Sequence, residues 1–318
     1  MKVIHLKYPY QLDKVDPSTS YSLAVGFFDG VHRGHQAVIR AAMEKAREIN
    51  VKSAVMTFDP HPSIVLGKSN EKIFYITPLH QKLEILEELG VDTTFVVQFT
   101  SDFAKLSPEE FIQHFIRDLN VKHVTAGFDF SFGAFGKGNM ELMKELSRGD
   151  FGVTVVEKQV EGGEKISSTR IRESLREGDM ETVHHLLGRP YQLQGIVVQG
   201  DKRGRTIGFP TANIQPKEGG FIPKNGVYAV KILVQNQLFD GVCNVGYKPT
   251  FKNPDEKQLT IEVHILDFHK NIYGEEVKVY WYKRLRDEQK FDGIESLKAQ
   301  INRDKEQAIE YFSNKSFA

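Results

Sequence analysis

Residues 22–35 read SLAVGFFDGVHRGH, and the stretch that follows to Ile49 is rich in Ala and Glu. Ser22–Phe28 has the continuous apolar character of a buried strand, and Gly34–Ile49 the composition of a helix. A buried strand passing through a glycine-bearing turn into a helix is the opening unit of a parallel α/β sheet. The same alternation continues outward. Ser53–Phe58 predicts a second strand, and Thr77-Pro78 opens a helix with Leu79, Leu83, Leu86 and Leu89 on one face, closed by Gly90. Thr94–Phe99 is a third strand. Ser107-Pro108-Glu109-Glu110 makes a capping box with Pro at the first helical position, leading into Phe111, Phe115 and Leu119. A strand at His123–Gly127, a helix from about Asn139 to Arg148 and a strand near Val153–Glu157 complete a doubly wound α/β domain.

The texture changes near Gly188-Arg189-Pro190. Beyond it come short β-rich segments at Gln194–Val198, Val227–Val234, Phe239–Asn244, Leu259–Leu266 and Glu276–Tyr282. Lys224-Asn225-Gly226 and Gln235-Asn236-Gln237 read as hairpin turns. Strands without intervening helices predict an antiparallel barrel. A closing helix carries Ile294, Leu297, Ile301, Ala308 and Phe312 roughly on one face. The expected division is therefore 1–186 and 187–318, in keeping with a length of 318 residues, more than one core usually serves.

Composition narrows the class of function. Apolar residues at 40% and charged residues at 26% describe a globular chain. Lys plus Arg and Asp plus Glu both number 42, which argues against a protein built to coat nucleic acid. The single cysteine, Cys243, permits no intrachain disulfide, and its Val-Cys-Asn-Val setting reads as core packing. Met1–Lys7 lacks the apolar run of a signal peptide, and no run approaches the ~20 apolar residues of a membrane span. A cytoplasmic location, without membrane or nucleic-acid partners, is the expectation.

Two constellations carry chemistry. In the first, His32 and His35 flank Gly34 where a helix should begin. A helix N-terminus presents unpaired N–H groups and partial positive charge, so it attracts phosphate. Histidines there can donate to phosphate oxygens as charge builds in an in-line displacement. Ser167-Ser168-Thr169-Arg170-Ile171-Arg172 offers a second helix start, with hydroxyls and the permanent charge of Arg172. In the second, the β-rich half holds GDKRGRTIGFPTAN at 200–213. Glycines and basic residues in such a loop can wrap phosphates, and Thr211 and Asn213 supply neutral oxygens of the kind Mg²⁺ accepts beside nucleotide phosphates. The chain has no GxxxxGK[ST] loop and no HRD or DFG pair.

GFFDGVHRGH resembles the signature of the prokaryotic bifunctional riboflavin kinase/FAD synthetases. Thr57-Phe58-Asp59-Pro60-His61-Pro62, Gly127-Phe128-Asp129-Phe130-Ser131-Phe132-Gly133 and the Ser168–Arg172 stretch agree with it. In the second half, GDKRGRTIGFPTANI and Asn244–Phe251 are similar to the flavokinase signature of the same family. The resemblance implies a nucleotidylyltransferase (Rossmann-like) domain followed by a riboflavin kinase barrel. It implies ATP as co-substrate, riboflavin, FMN and FAD as substrates and products, and Mg²⁺. In the first domain it assigns His32, His35, Ser168, Thr169 and Arg172 to ATP phosphates. Gly26, Phe27, Asp29 and Gly34 belong to the same ATP site, and Asp59 and Asp129 to flavin positioning. In the second it assigns Gly200, Lys202, Gly208 and Pro210 to ATP, Thr211 and Asn213 to the metal, and Arg286 to flavin. Glu262 is the expected base for the ribityl hydroxyl. Phe128, Phe130, Phe132 and Phe135 suit either a flavin wall or core packing. Two other readings are a single-activity adenylyltransferase whose β domain only binds flavin, and a flavin-sensing regulator without turnover.

Overall fold

The computed structural model describes residues 1–9, 15–67, 74–200, 203–217, 219–249 and 257–314, which form two compact units, Met1–Ser168 and Thr169–Ala318. In the first, β1 (Lys2–Lys7) and β2 (Tyr21–Val25) precede α1 (Arg33–Glu48). Then come β3 (Lys52–Asp59), α2 (Pro62–Val65), α3 (Leu79–Glu88) and β4 (Thr93–Gln98). After α4 (Pro108–Ile112) and a π-helical turn at Gln113–Arg117 follow β5 (Val121–Gly127), α5 (Met140–Ser147) and β6 (Gly152–Val156). A two-stranded ribbon, β7 (Val160–Glu161) and β8 (Glu164–Lys165), leads to α6 (Ser168–Glu177), whose first residue closes this unit.

The six main strands lie in the order β1-β4-β3-β2-β5-β6 and all pair in parallel. From β2 the chain steps one way to β3 and β4, then crosses back to β5 on the other side. The carboxyl end of β2 is thus a topological switch point, where open α/β sheets bind ligands. Every residue of β2 is buried, because both faces of the sheet are covered. Leu23 and Val25 face a core built with Met56, Phe95, Phe111, Phe115 and Met143. Ala24 faces the other core, with Val38 and Ile39 of α1 and Leu86 of α3.

One sequence expectation holds here and one shifts. The capping box at Ser107 is present, with Ser107 accepting from Glu110 N and Glu110 accepting from Ser107 N. In α3 the inward face is rotated from the leucine stripe. Gln81, Lys82, Ile85 and Leu86 are the buried residues, while Leu83 and Leu89 are only half-buried.

In the second unit α7 (Met180–Leu187) follows α6, and β9 (Tyr191–Val198), α8 (Arg203–Thr206), β10 (Ala212–Pro216), β11 (Gly226–Val234), β12 (Gln237–Pro249), β13 (Lys257–Ile265), β14 (Glu276–Arg286) and α9 (Ile294–Asn314) complete it. The strands close a barrel in the order β10-β13-β12-β11-β14-β9, each pair antiparallel. Gln235-Asn236 is a two-residue hairpin turn with both φ positive, the geometry that matches strand twist. Lys224-Asn225-Gly226 is not a hairpin. It feeds β11, which pairs with β12 and β14 and not with the preceding β10. α9 packs its C-terminal half on the barrel, where Ala308 and Phe312 meet Val227, Ala229, Val242 and Tyr282. Ile294, the first residue of its expected apolar face, is exposed.

Candidate functional sites

The turn leaving β2 is built under backbone constraint. Phe28, Gly30 and Val31 all have positive φ, a rare conformation for Phe and Val. Asp29 explains how the turn holds: its buried carboxylate accepts from Ile76 N at 3.2 Å and Thr77 N at 3.0 Å, just before α3. Ser168 Oγ donates to Asp29 O at 2.9 Å, tying the start of α6 to the same turn.

His32 is the N-cap of α1. Its Nδ1 accepts from His35 N at 3.2 Å, and its ring, 5% exposed, stacks on that of His35 with centroids 3.5 Å apart. An Nδ1 that accepts carries no proton, so the neutral ring holds its proton on Nε2 and can donate from there. Gly34 sits so close that a Cβ would lie 3.1 Å from the His32 ring. Gly26 N donates to Met56 O, and Gly26 packs against the Phe28 ring.

Beside the turn, Asp59 ends β3 half-buried, and the Phe27 ring meets His61 edge-on at 4.5 Å. Asp129 lies on the surface in an ion pair with Lys165. Of the four phenylalanines in its loop, Phe132 is core and Phe130 packs against it, whereas Phe128 is exposed and Phe135 is 97% exposed. Thr169 is exposed and Arg172 half-buried in the first two turns of α6.

One residue of this site escaped the sequence reading. Lys82 is 2% exposed, and its Nζ donates to Phe27 O at 2.7 Å and Thr57 Oγ1 at 3.0 Å. Burial lowers its pKa to about 8, against the opposing pull of Asp29 and Asp59. The available signal was a lysine three residues after Leu79 and four before Leu86, on the apolar side of its helix.

In the barrel, register assembles the second site. Glu262 on β13 lies opposite Asn213 of β10 on one side and Asn244 of β12 on the other. Directly paired residues project from the same face, so the three polar side chains share a surface. Thr211 Oγ1 donates to Glu262 Oε2 at 3.4 Å. Gly200 abuts the Asn213 amide, within 2.3–2.5 Å of where a Cβ would stand. Gly204 O accepts from Ile207 N and Phe209 N, folding the loop back, and His264 Nδ1 contacts Pro210 O at 2.8 Å. Gly208 takes φ +91° with open space around it. Lys202 lies outside the described residues. Thr211 also lines a cavity of about 300 Å³, with Val197, Ala212, Val263, Ile265 and Lys270 among the other lining residues.

Arg286 is fixed by an ion pair. Its Nε and Nη2 each donate at 2.8 Å to the two carboxylate oxygens of Asp304, a residue of α9 that is 2% exposed. Cys243 is a buried core residue, its thiol pushed up by burial and further by Glu262.

A glycine-bearing turn at the switch point of a parallel sheet is joined in one chain to a barrel bearing a Thr-Asn-Glu cluster, and the family matches place such a chain among the two-activity transferases of flavin nucleotides. The FAD synthetase family matches residues 15–170, and the riboflavin kinase family residues 187–312. The chain belongs to the bifunctional riboflavin kinase/FMN adenylyltransferase family. It is 50% identical to the bifunctional riboflavin kinase/FMN adenylyltransferase of Bacillus subtilis (strain 168), across 99% of both chains. It is 38% identical to that of Escherichia coli (strain K12), across 93% of this chain and 94% of the other. A crystal structure described as a macrolide-efflux protein from Streptococcus pneumoniae shares the fold with a TM-score of 0.88 and 36% identity, covering 96% of this chain and 98% of that one. Among the described residues, no helix is long and apolar enough to cross a membrane.

Proposed function

We propose that this chain phosphorylates riboflavin to FMN in its barrel and adenylylates FMN to FAD at its parallel sheet, with the labour divided between residues 1–186 and 187–318. The observation that carries the reading is that each unit has its own phosphate-directed architecture, the capped α1 turn in one and the Glu262 cluster in the other.

In adenylyl transfer an oxygen of the FMN phosphate attacks the α-phosphorus of ATP. The Pα–O bond to the β-phosphate breaks, and pyrophosphate leaves. His32 donates from Nε2 to the charge that grows on the phosphate oxygens, with His35, the N-terminal amides of α1, Ser168, Thr169 and Arg172 completing the anion site. Gly26 and Gly34 let the nucleotide approach the backbone, and Phe27 borders it. Asp29 acts by holding the turn. Asp59 and Asp129 orient the flavin nucleotide.

In phosphoryl transfer the ribityl 5′-hydroxyl attacks the γ-phosphorus, Glu262 takes the hydroxyl proton, and ADP leaves. The transition state is loose, so Glu262 contributes position as much as basicity. The oxygen donors Thr211 and Asn213 beside this carboxylate suit Mg²⁺, which when bound would neutralise charge on the nucleotide phosphates. Gly200, Lys202, Gly208 and Pro210 wrap the phosphates, and the cavity lined by Thr211 takes the rest of ATP. Arg286, where β14 meets α9, binds the flavin. Equal numbers of acidic and basic residues favour small molecules over nucleic acid as partners, and a cytoplasmic location fits a chain with one cysteine.

A timed reaction with riboflavin, ATP and Mg²⁺, resolved by chromatography, tests the proposal. FMN should appear first and FAD follow. FMN that accumulates without FAD would remove the adenylyltransferase assignment, and FAD made only from supplied FMN would remove the kinase.

A further inference from the structure

Phe27 O and Thr57 Oγ1 already satisfy one another: the threonine hydroxyl donates to the carbonyl at 2.8 Å. The fold therefore does not need a third polar group between them. Yet Lys82 places a buried ammonium there, 4.5 Å from the Phe27 ring centroid and in hydrogen-bond contact with both atoms. Taking a charge out of water is costly, and an apolar side chain of similar length usually stabilises such a site as well or better. A buried cation added to a hydrogen bond that is complete without it, and fastened to the residue that opens the turn, points to a task in the reaction.

We propose that Lys82 is a positioning residue for adenylyl transfer: its ammonium clamps the Phe27 carbonyl to Thr57 on the neighbouring strand and so holds the turn that receives the triphosphate. The inference rests on the adenylyltransferase reading given above. It assigns Lys82 no contact with substrate. The clamp draws Phe27 O toward the end of β3, and the turn that follows, from Phe28 to Val31, is the strained segment that delivers His32. Charged hydrogen bonds are roughly twice as strong as neutral ones, so the clamp weakens when the lysine loses its proton.

Several titratable groups among the described residues surround Lys82. Asp29 and Asp59 face it from the turn and from β3, and both favour the charged form. Asp29 is held by two backbone amides. Tyr75 and His61 border the Phe27 ring, His32 and His35 stand on the turn, and His80 and Glu84 flank Lys82 on α3. Burial pushes the Tyr75 phenol above its ordinary value, so it stays neutral through the relevant range. Lys82, lowered to about 8 by burial, is charged below that pH and neutral above it.

The sign of the pH effect separates function from structure. Activity should fall as pH rises through about 8. Folding stability should move the other way: above about 8 the unfolded chain holds a proton on this lysine that the folded chain has released, so its contribution to stability increases with pH.

The test measures adenylylation of supplied FMN from pH 6.5 to 9.5 in wild type, Lys82→Met and Thr57→Val, with riboflavin phosphorylation in the same samples as the control for intact protein. Lys82→Met should lose roughly ten- to a hundred-fold in kcat/KM, as expected for a charged hydrogen bond, without a lower unfolding temperature at pH 7. Its alkaline limb near pH 8 should vanish. Thr57→Val removes one acceptor of the ammonium and should move that limb to lower pH, which decides the matter if Lys82→Met fails to fold. A wild-type limb left unchanged in both variants, or a Lys82→Met enzyme at wild-type rate, overturns the clamp. Wild type that makes no FAD at any pH overturns the underlying function instead.

Discussion

Gly200→Ala should disable the kinase while leaving the barrel folded. A Cβ at residue 200 would stand 2.3 Å from the nearest atom of the Asn213 amide, so the amide must retreat by about 1 Å to restore ordinary contact. The amide is the end of a flexible side chain, so yielding costs little stability. It is also the group opposite Glu262 in the ladder and the candidate metal ligand, so yielding costs function. A displacement of ~1 Å at a positioning group lowers rate by roughly 100-fold, or about 2.7 kcal/mol of transition-state stabilisation. The assay is initial-rate FMN formation with saturating ATP and Mg²⁺, run beside adenylylation of supplied FMN and thermal unfolding. The expected pattern is a hundred-fold loss in the first and little change in the other two. Wild-type kinase rate and Mg²⁺ dependence in Gly200→Ala would refute the placement of Asn213 in the site.

Three further outcomes follow from the same geometry. His32→Ala removes both the Nε2 donor and the cap of α1; FAD formation should disappear while FMN formation persists, and the lost cap should cost ~1 kcal/mol of stability in thermal or denaturant unfolding. Glu262→Gln should cut FMN production severely while supplied FMN is still converted to FAD, whereas equal loss of both activities would indicate misfolding. Asp304→Ala strands the half-buried Arg286 guanidinium and should destabilise the second unit by about 3 kcal/mol. Calorimetry should then show its transition lowered by several degrees.

The parts of this molecule that the sequence disclosed are those governed by local rules. The strand, turn and helix around His32, the capping box at Ser107 and the Gln235-Asn236 turn each follow from period, cap or φ preference. The hidden parts depend on partners distant in the chain. Ala212–Pro216 looks like the tail of a phosphate loop, because Ala-Asn-Ile-Gln alternates over too few residues before Pro216 to stand out as a strand, yet β10 is the strand that closes the barrel between β9 and β13. Lys2–Lys7 goes unread because it is an edge strand paired only with β4. Lys82 and Asp304 were lost for one reason. Each sits at an apolar position of its helix, where pattern counting registers a break in the stripe and not a buried charge with partners. Arg286 illustrates the converse: the motif gives its place, but Asp304, eighteen residues on, determines where its guanidinium points.

Helix α7 also bears on how this chain could be cut in two. Its Met180, Val183, Leu186 and Leu187 are buried, and it packs on β9 and β14 within the second unit. A fragment beginning at Gly188 would bare the barrel flank that α7 covers and invite clumping through that newly wetted apolar strip. A piece beginning at Thr169 keeps its own cover.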